Sequence, residues 1–589
     1  MKRRYKMKVF KVVEDEWVLN GTTRLFGLVI REQARLSAPE GKQLTMTLNG
    51  ENVPIVPGTY EGDIVLTITD DIPIHAVCDA VFRSALYVED GKIVPEKSVL
   101  AAVVGGTVED GGAKDIAITS SEDDFNGVIV AGEGEYTIDN AEIHFRGNGS
   151  NDFIGQGAGI MTTGTGKLTI NNSHLTTYGA ARGTIFGGER GTLVVNDCVI
   201  EGKPGILPAD YVDSIEPGGM RCVPWMLGLR GNCRATNLAD YTTAYFNRCT
   251  CTSESWGVMS TDGVNQVRSY IKDCDIRITG TSGYGAFALL DTVVTLDHST
   301  IHVPDYGMVS SMANATFVVK NGTVVNAGRF GGMSYRLVDG LFDIQPGCEI
   351  HAGETAFLTK GCPCTYQIDH AAVTSGRKIL LQMMDTDDPF NPKGSYSDPV
   401  DNELYIEGRD LTKALRGEDC FVILRNTEIE GSIYNATSDL KFEFIPLKPL
   451  PGEPGGPPLE PLPDGTLPKF SKMMGNGPMN LSVSLEGAAL TGSITSAKAC
   501  HRVPKIDKTN CEELGEVNNT PRPAVNNGVV VEIDGTSKWI VEGTNYLNKL
   551  ILAEGAKVLL PDGGAPTMTV DGVPTEIKAG TYVGRIVIA

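Results

Sequence analysis

Four short patches in the middle of this 589-residue chain carry residues able to do chemistry. They are Arg146-Gly-Asn-Gly-Ser-Asn-Asp152; Tyr178-Gly-Ala-Ala-Arg182 with Gly187-Gly-Glu189-Arg190; Arg221-Cys-Val-Pro-Trp225 with Leu229-Arg230-Gly-Asn232; and Ser253-Glu254-Ser-Trp256-Gly with Ser260-Thr261-Asp262. They supply carboxylates (Asp152, Glu189, Glu254, Asp262), guanidiniums (Arg182, Arg221, Arg230) and, with Tyr284 and Tyr306 further on, flat rings (Trp225, Trp256). A hydroxylated ring compound needs this mixture, because rings offer an apolar platform and charged groups take its hydroxyl hydrogen bonds. Two carboxylates roughly 5–10 Å apart divide acid and base roles in glycosidic cleavage. An arginine beside a carboxylate or tyrosine supports proton abstraction and elimination instead, the cation holding the developing oxyanion. On this reading Asp262, Glu254, Arg230, Glu189 and Tyr284 are the candidate catalytic groups. Trp225, Trp256, Tyr306, Arg182, Arg221, Asn232 and Asp152 are the candidate substrate-binding groups. Tyr284 and Tyr306 serve as acids or bases only if their surroundings lower the phenol pKa. The competing reading is structural: rings at one position of successive coils stack as packing, and an exposed carboxylate is simply solvated.

Other chemistry is thinner. The eight histidines do not cluster; His144, His302 and His351 each follow an isoleucine in similar strand contexts, which predicts matching outward positions rather than a metal site. The 13 cysteines include the C-x-C pairs Cys249/Cys251 and Cys362/Cys364 but no zinc spacing, so buried reduced thiols are expected. The loop Asp385-Thr-Asp387-Asp388-Pro-Phe-Asn391-Pro-Lys-Gly394 offers oxygen ligands for calcium but lacks the glycine and distal glutamate of an EF-hand. No metal and no cofactor beyond that weak calcium signal is assigned. No phosphate loop, dinucleotide fingerprint or nucleophile elbow occurs in a strand–helix frame.

The elements that would position the patches are short strands and tight corners. Units such as Ile138-Asp-Asn-Ala-Glu-Ile143, Ile170-Asn-Asn-Ser-His-Leu175, Val195-Asn-Asp-Cys-Val-Ile200 and Phe246-Asn-Arg-Cys-Thr-Cys251 read as strand, polar turn, strand. Asn and Asp suit such corners because they tolerate left-handed backbone. Aromatic residues at or near a glycine recur at Tyr178, Trp225, Trp256, Tyr284, Tyr306 and Phe330, mostly 22 to 31 residues apart. Such a unit cannot bury its apolar side alone and must stack on copies of itself at about 4.8 Å per coil. The 69 glycines fit many turns and few long helices. The expected fold is all-β, a right-handed parallel β-helix with small duplicated β units near both termini. Stacking would bring the four patches onto one face.

The expected organisation is an N-terminal β module over 1–100, the parallel β-helix over 101–445, a linker over 446–468, and C-terminal coils over 469–589. Nine of the 23 linker residues are proline, which sets an extended strap. The terminal repeat pairs LTMTLNGENVPIVPGTYEGDIVL (44–66) with PTMTVDGVPTEIKAGTYVGRIVI (566–588), identical at ten of 23 positions, each with a hairpin dipeptide, Asn49-Gly50 or Asp571-Gly572. It reads as a duplicated end-covering unit, or as a pair of modules that dock on each other or on another subunit and so form a homo-oligomer.

Net charge is −22, which disfavours nucleic acid, and disfavours a polyanionic substrate unless a local basic patch overrides the global field. No apolar stretch long enough to span a membrane occurs, and the basic N-terminus lacks the apolar run of a secretory signal. A cytoplasmic location is expected, or a secreted one if a signal has been removed. The coils of 125–345 resemble right-handed parallel β-helix proteins of the pectate-lyase-like superfamily. Residues 480–492, 535–543 and 546–552 resemble autotransporter passenger coils. The resemblance implies the architecture; neither a run of paired aspartates with Gly-His-Gly nor the basic cluster of pectate lyases is legible, so no catalytic residue carries over. The expected function is an enzyme acting on a carbohydrate or other polyhydroxylated ring compound, as lyase, hydrolase or isomerase, in a groove on the side of the β-helix. Its partner would be a small molecule or oligosaccharide. The alternative is a non-catalytic, adhesin-like or carbohydrate-binding solenoid.

Overall fold

The computed structural model describes residues 9–75, 79–216, 218–262, 266–312, 314–335, 339–388, 396–397, 409–438, 441–442 and 479–589. The proline-rich linker, 446–468, lies outside the described residues. The chain divides into two units: Met1–Cys222 with Gly231–Ser269, and Val223–Arg230 with Tyr270–Ala589. Among the described residues the helical content is four three-residue 3-10 turns.

The first unit is a parallel β-solenoid with three strand columns per coil. Glu135–Asp139, Lys167–Asn171, Thr192–Asn196 and Thr243–Asn247 stack so that Ile138, Ile170, Val195 and Phe246 lie in register. All four are buried, while the residues between them face out, as period-2 alternation demands. Each strand ends at the polar corner seen in the sequence. Asn171 donates to Asp139 (2.7 Å), Asn196 to Asn171 (2.9 Å) and Asn247 to Asn196 (2.9 Å), a ladder up one edge. The next residues, Asn140, Asn172, Asp197 and Arg248, all adopt left-handed backbone with φ of 51–55°. A second column follows in Glu142–Arg146, His174–Tyr178, Val199–Lys203 and Thr250–Ser260. A third holds Phe125–Ala131, Ile160–Thr162, Ile185–Gly187 and Arg234–Leu238.

The second unit repeats this construction by itself. Leu296, Val319, Ile344, Ile368, Leu424, Leu485 and Ile533 form one continuous inward register line over seven rungs. Three aromatic–glycine markers also fall in line, Tyr284 over Tyr306 over Phe330. Tyr178 and Trp225 do not belong to that series. Tyr178 ends a second-column strand, and Trp225 opens the 3-10 turn Trp225–Leu227 in a long insertion.

The terminal repeat is structural and extends beyond the 23 residues of the sequence match. Met46 pairs with Leu66 and Thr47 with Val65, as Met568 pairs with Ile588 and Thr569 with Val587. Both turns use two left-handed residues, Asn49 and Gly50 (φ 54° and 89°) and Asp571 and Gly572 (φ 50° and 81°). Both turn side chains accept a backbone N–H, from Asp63 and from Arg585, at 2.9 Å. Upstream, Thr23–Ile30 runs antiparallel to the hairpin with an irregularity at Leu25/Gly27, and Asn545–Leu552 does the same at Leu547/Lys549. Residues 17–66 therefore match 539–588 without a gap, tryptophan on tryptophan at the start.

Candidate functional site

In Glu142-Ile-His-Phe-Arg146 the apolar Ile143 and Phe145 turn inward, which turns Glu142, His144 and Arg146 out. Stacking extends each into a column. Glu142, His174, Val199 and Thr250 form the first; His144, Thr176, Glu201 and Thr252 the second; Arg146, Tyr178 and Lys203 the third. Gly202 pairs with Ser253, so Glu254 takes the rung after Lys203. Successive rungs are about 4.8 Å apart. Groups separated by more than 100 residues thus share one outward grid.

The centre is Tyr178. Arg146 lies 5.8 Å and the Lys203 ammonium 5.1 Å from its ring centroid, and the His144 ring meets it edge-on at 5.4 Å. Two cations on neighbouring rungs flank one ring. A hydrogen bond with the Tyr178 phenol raises the Lys203 pKa, and the charges of Glu201 and Glu254 add to this. The His144 pKa is lowered, by burial first and then by Arg146, His174 and Lys203, which favours a neutral imidazole able to accept a proton. Burial opposes ionisation of Glu201, but hydrogen bonds from His174 (3.2 Å) and Thr176 (3.0 Å) hold its carboxyl low.

Two predicted site residues act beside this grid as positioning groups. Asn232 accepts from the Gly205 N–H (3.2 Å) and donates to the Gly205 carbonyl (2.9 Å), and Asn148 donates to the Ile206 carbonyl (2.8 Å). Arg221 donates to the Ser150 hydroxyl at 3.3 Å. They tie down the chain that follows Lys203, where Ile206 is 90% exposed.

Asp152, Trp256 and Asp262 do come together, but inside the unit, around an arginine that none of the four patches contains. Arg234 is fully buried; its Nε and Nη2 bond Asp152 at 2.7 Å each, and its Nη1 bonds Asp262 at 2.8 Å. The guanidinium lies 4.4 Å from the Trp256 ring and 4.8 Å from Phe153. Asn237 donates to the Asp152 carbonyl (3.1 Å) and accepts the Asp262 N–H (2.9 Å). Burial raises the Asp262 pKa, with Arg234 working against it. Trp256 is covered, so it offers no sugar platform.

Arg182 is likewise sealed. It donates to the carbonyls of Gly157, Arg146, Gly147 and Phe125 at 2.5–3.0 Å, packs over Phe145, and is pushed down to about 10 by burial. It is a backbone staple rather than a substrate ligand. Glu189 is exposed away from the grid, where it accepts a 2.6 Å bond from Thr163.

The remaining predicted groups belong to the second unit. Arg230 donates to the carbonyls of Lys508 and Thr509 (2.9 Å each) and pairs with Glu512 at 2.7 Å. Trp225, Tyr284 and Tyr306 are buried. Tyr306 donates to the Leu227 carbonyl (2.8 Å) and stacks on Phe330 at 5.4 Å. Burial drives its phenol pKa upward, the opposite of what an acid–base role requires. Asp387 of the supposed calcium loop is held by the Lys360 ammonium (2.7 Å), His501 (2.9 Å) and the Gly515 N–H (2.6 Å), so a cation occupies its carboxylate already. Loop residues 389–394 lie outside the described residues. Among the described residues no group of three His, Cys, Asp or Glu is placed to hold a metal ion. His302 and His351 do take matching outward positions, joined through Asn326, beside a shallow groove of about 450 Å³.

No signal within one patch could have selected Lys203 or Arg234, because their partners are set by register across coils. The chain matches no known protein-family model and no curated protein. It stands on its architecture alone, as a parallel β-solenoid.

Proposed function

We propose that the outward face of His144, Arg146, Tyr178, Lys203 and Glu254 binds a carboxylate-bearing carbohydrate and cleaves it by elimination. One observation carries this: Arg146, Tyr178, Lys203 and Glu254 stand on consecutive rungs beside His144. In a chain of net charge −22, Arg146 and Lys203 on either side of the Tyr178 ring are the cations that this face offers to an anionic group, among the carboxylates Glu142, Glu201 and Glu254. Arg146 and Lys203 would hold the sugar carboxylate, which acidifies the adjacent C–H. Neutral His144 takes that proton, the electron pair forms the C=C bond, and the glycosidic C–O bond breaks. The leaving oxygen takes a proton from the Tyr178 phenol, and Lys203 stabilises the phenolate left behind. The likeness to pectate-lyase-like β-helices supports this at the level of fold only.

The test is incubation with polygalacturonate, alginate and other uronate polymers, following the ultraviolet absorbance of unsaturated product. H144A and Y178F should each lower kcat by about 10²-fold or more with an unchanged melting temperature, and R146A should mainly raise KM. Absence of unsaturated product from every acidic polymer sinks the elimination. The face is an open grid rather than an enclosed pocket, which favours a second reading, a non-catalytic glycan-binding solenoid. Retarded migration in gels containing the polymer, lost in R146A and without product, is its signature.

A further inference from the structure

The duplicated terminal modules differ in one respect: what lies against their first coil. In the C-terminal copy that coil is Val529–Ile533 with Lys538–Val541. A complete coil, Leu481–Glu486 with Ala489–Gly492, is stacked on it in parallel register. Ser482 lies on Val530 and Leu490 on Trp539, and the Trp539 indole donates to the Gly492 carbonyl at 2.8 Å. In the N-terminal copy the equivalent coil is Phe10–Val13 with Glu16–Val18. Among the described residues it pairs on one side only, with Thr23–Ile30 and Arg35–Ser37.

The equivalence holds at single residues. Phe10 pairs with Gly27 as Val530 pairs with Lys549, its counterpart. The Val13 carbonyl accepts from Arg31 (3.1 Å) as the Ile533 carbonyl accepts from Ala553 (3.0 Å). Odd-numbered peptide groups of this coil therefore face inward along the module. Even-numbered ones face the other edge, where Asp534 donates to the Leu485 carbonyl at 3.1 Å. At Phe10 and Val12 the same groups point to an edge that no other strand covers among the described residues. The side chain at the first of these positions agrees: Val530 is 8% exposed, whereas Phe10 is 62% exposed; Val12, like its counterpart Glu532, is exposed. Trp17, the counterpart of Trp539, is only half-buried, under the Lys11 ammonium.

We propose that a second copy of this chain covers this edge, with Phe10–Val13 of each copy pairing antiparallel about a two-fold axis at Val12. A second copy is the fitting occupant because its C-terminal module carries the antiparallel strand Gly580–Ile588 along Asn545–Leu552, whereas its own first coil presents, among the described residues, the same one-sided edge. A closed two-fold pair also removes the exposed edge from both copies at once. Val12 is the centre because its N–H and C=O both face outward, so Val12 and its symmetry mate exchange two hydrogen bonds. Lys11 then faces Val13 of the partner. Centring on Lys11 would set two ammoniums directly opposite each other across a closely spaced non-hydrogen-bonded pair.

Sedimentation of the full chain, with cysteine variants, tests this. Wild type should sediment as a dimer. Val12→Pro removes only the outward N–H, so it should give a monomer with the wild-type melting temperature. Val12→Cys should form disulfide-linked dimers under mild oxidation well above the wild-type level, whereas Val573→Cys, also exposed but on the other module, should not. A monomeric wild type at all concentrations overturns the proposal, and so does a dimer that Val12→Cys fails to cross-link. The cross-link decides the matter even if Val12→Pro fails to fold.

Discussion

Arg234 shows how a residue rich in chemical potential can be committed to structure. Its guanidinium is fully buried between Asp152 and Asp262. Removing it would strand both carboxylates, so Arg234→Ala should cost about 3–5 kcal/mol in urea denaturation. Lysine should restore little, because a point charge cannot replace the fork that meets both oxygens of Asp152. Asp387 makes a comparable prediction for pH. Burial opposes its ionisation, yet the Lys360 charge and the His501 contact win and hold its pKa well below the usual value. A depressed folded pKa means this stabilisation is fully present above about pH 4, the unfolded value, and is lost as pH falls toward and through the folded one. Asp387→Asn should therefore lower stability at neutral pH and flatten the acid limb of a stability–pH curve. A wild-type acid limb in the variant would refute that account.

At the scale of elements, the corner is the repeating device. The ladder Asp139–Asn171–Asn196–Asn247 and the left-handed residues after it decide where each strand stops. Asn196 both donates to Asn171 and accepts from Asn247, so Asn196→Ala breaks two rungs at once and should cost about 1–3 kcal/mol. Asn172→Val places a β-branched residue at φ 51° and should cost about 1–2 kcal/mol through backbone strain alone. Thermal melts of both variants, compared with an outward substitution such as Thr169→Val, separate corner effects from strand effects.

At the scale of the molecule, the coils bury nearly everything between their faces. Ten of the 12 described cysteines are buried, and Cys222 and Cys500 are partly exposed. Native protein should react with a maleimide at Cys222 and Cys500 first, and at the other described thiols only after denaturant is added. Mass spectrometry of labelled peptides checks this. Rapid native labelling of Cys198 or Cys364 would mean that the coils open locally, contrary to their packing.

The corners, the inward apolar lines, the outward histidines and the terminal hairpins were all legible in the chain, because each depends on residues adjacent in sequence: alternation of period 2, an Asn or Asp where backbone turns left-handed, a hairpin dipeptide. What only the tertiary structure decided is which side chains meet. The patches held the right residue types, but register sent Asp152, Trp256 and Asp262 inward to Arg234 and set Arg146, Tyr178 and Glu254 outward beside Lys203. Stacking brings together residues one coil apart, and coil length varies with each insertion, so no fixed spacing in the sequence encodes the neighbour. The full length of the terminal repeat is less plain in the chain: upstream of the hairpin region nine of 27 positions are identical between 17–43 and 539–565, a lower share than the ten of 23 that follow, and the shared ladder partners are what establish that the two stretches correspond.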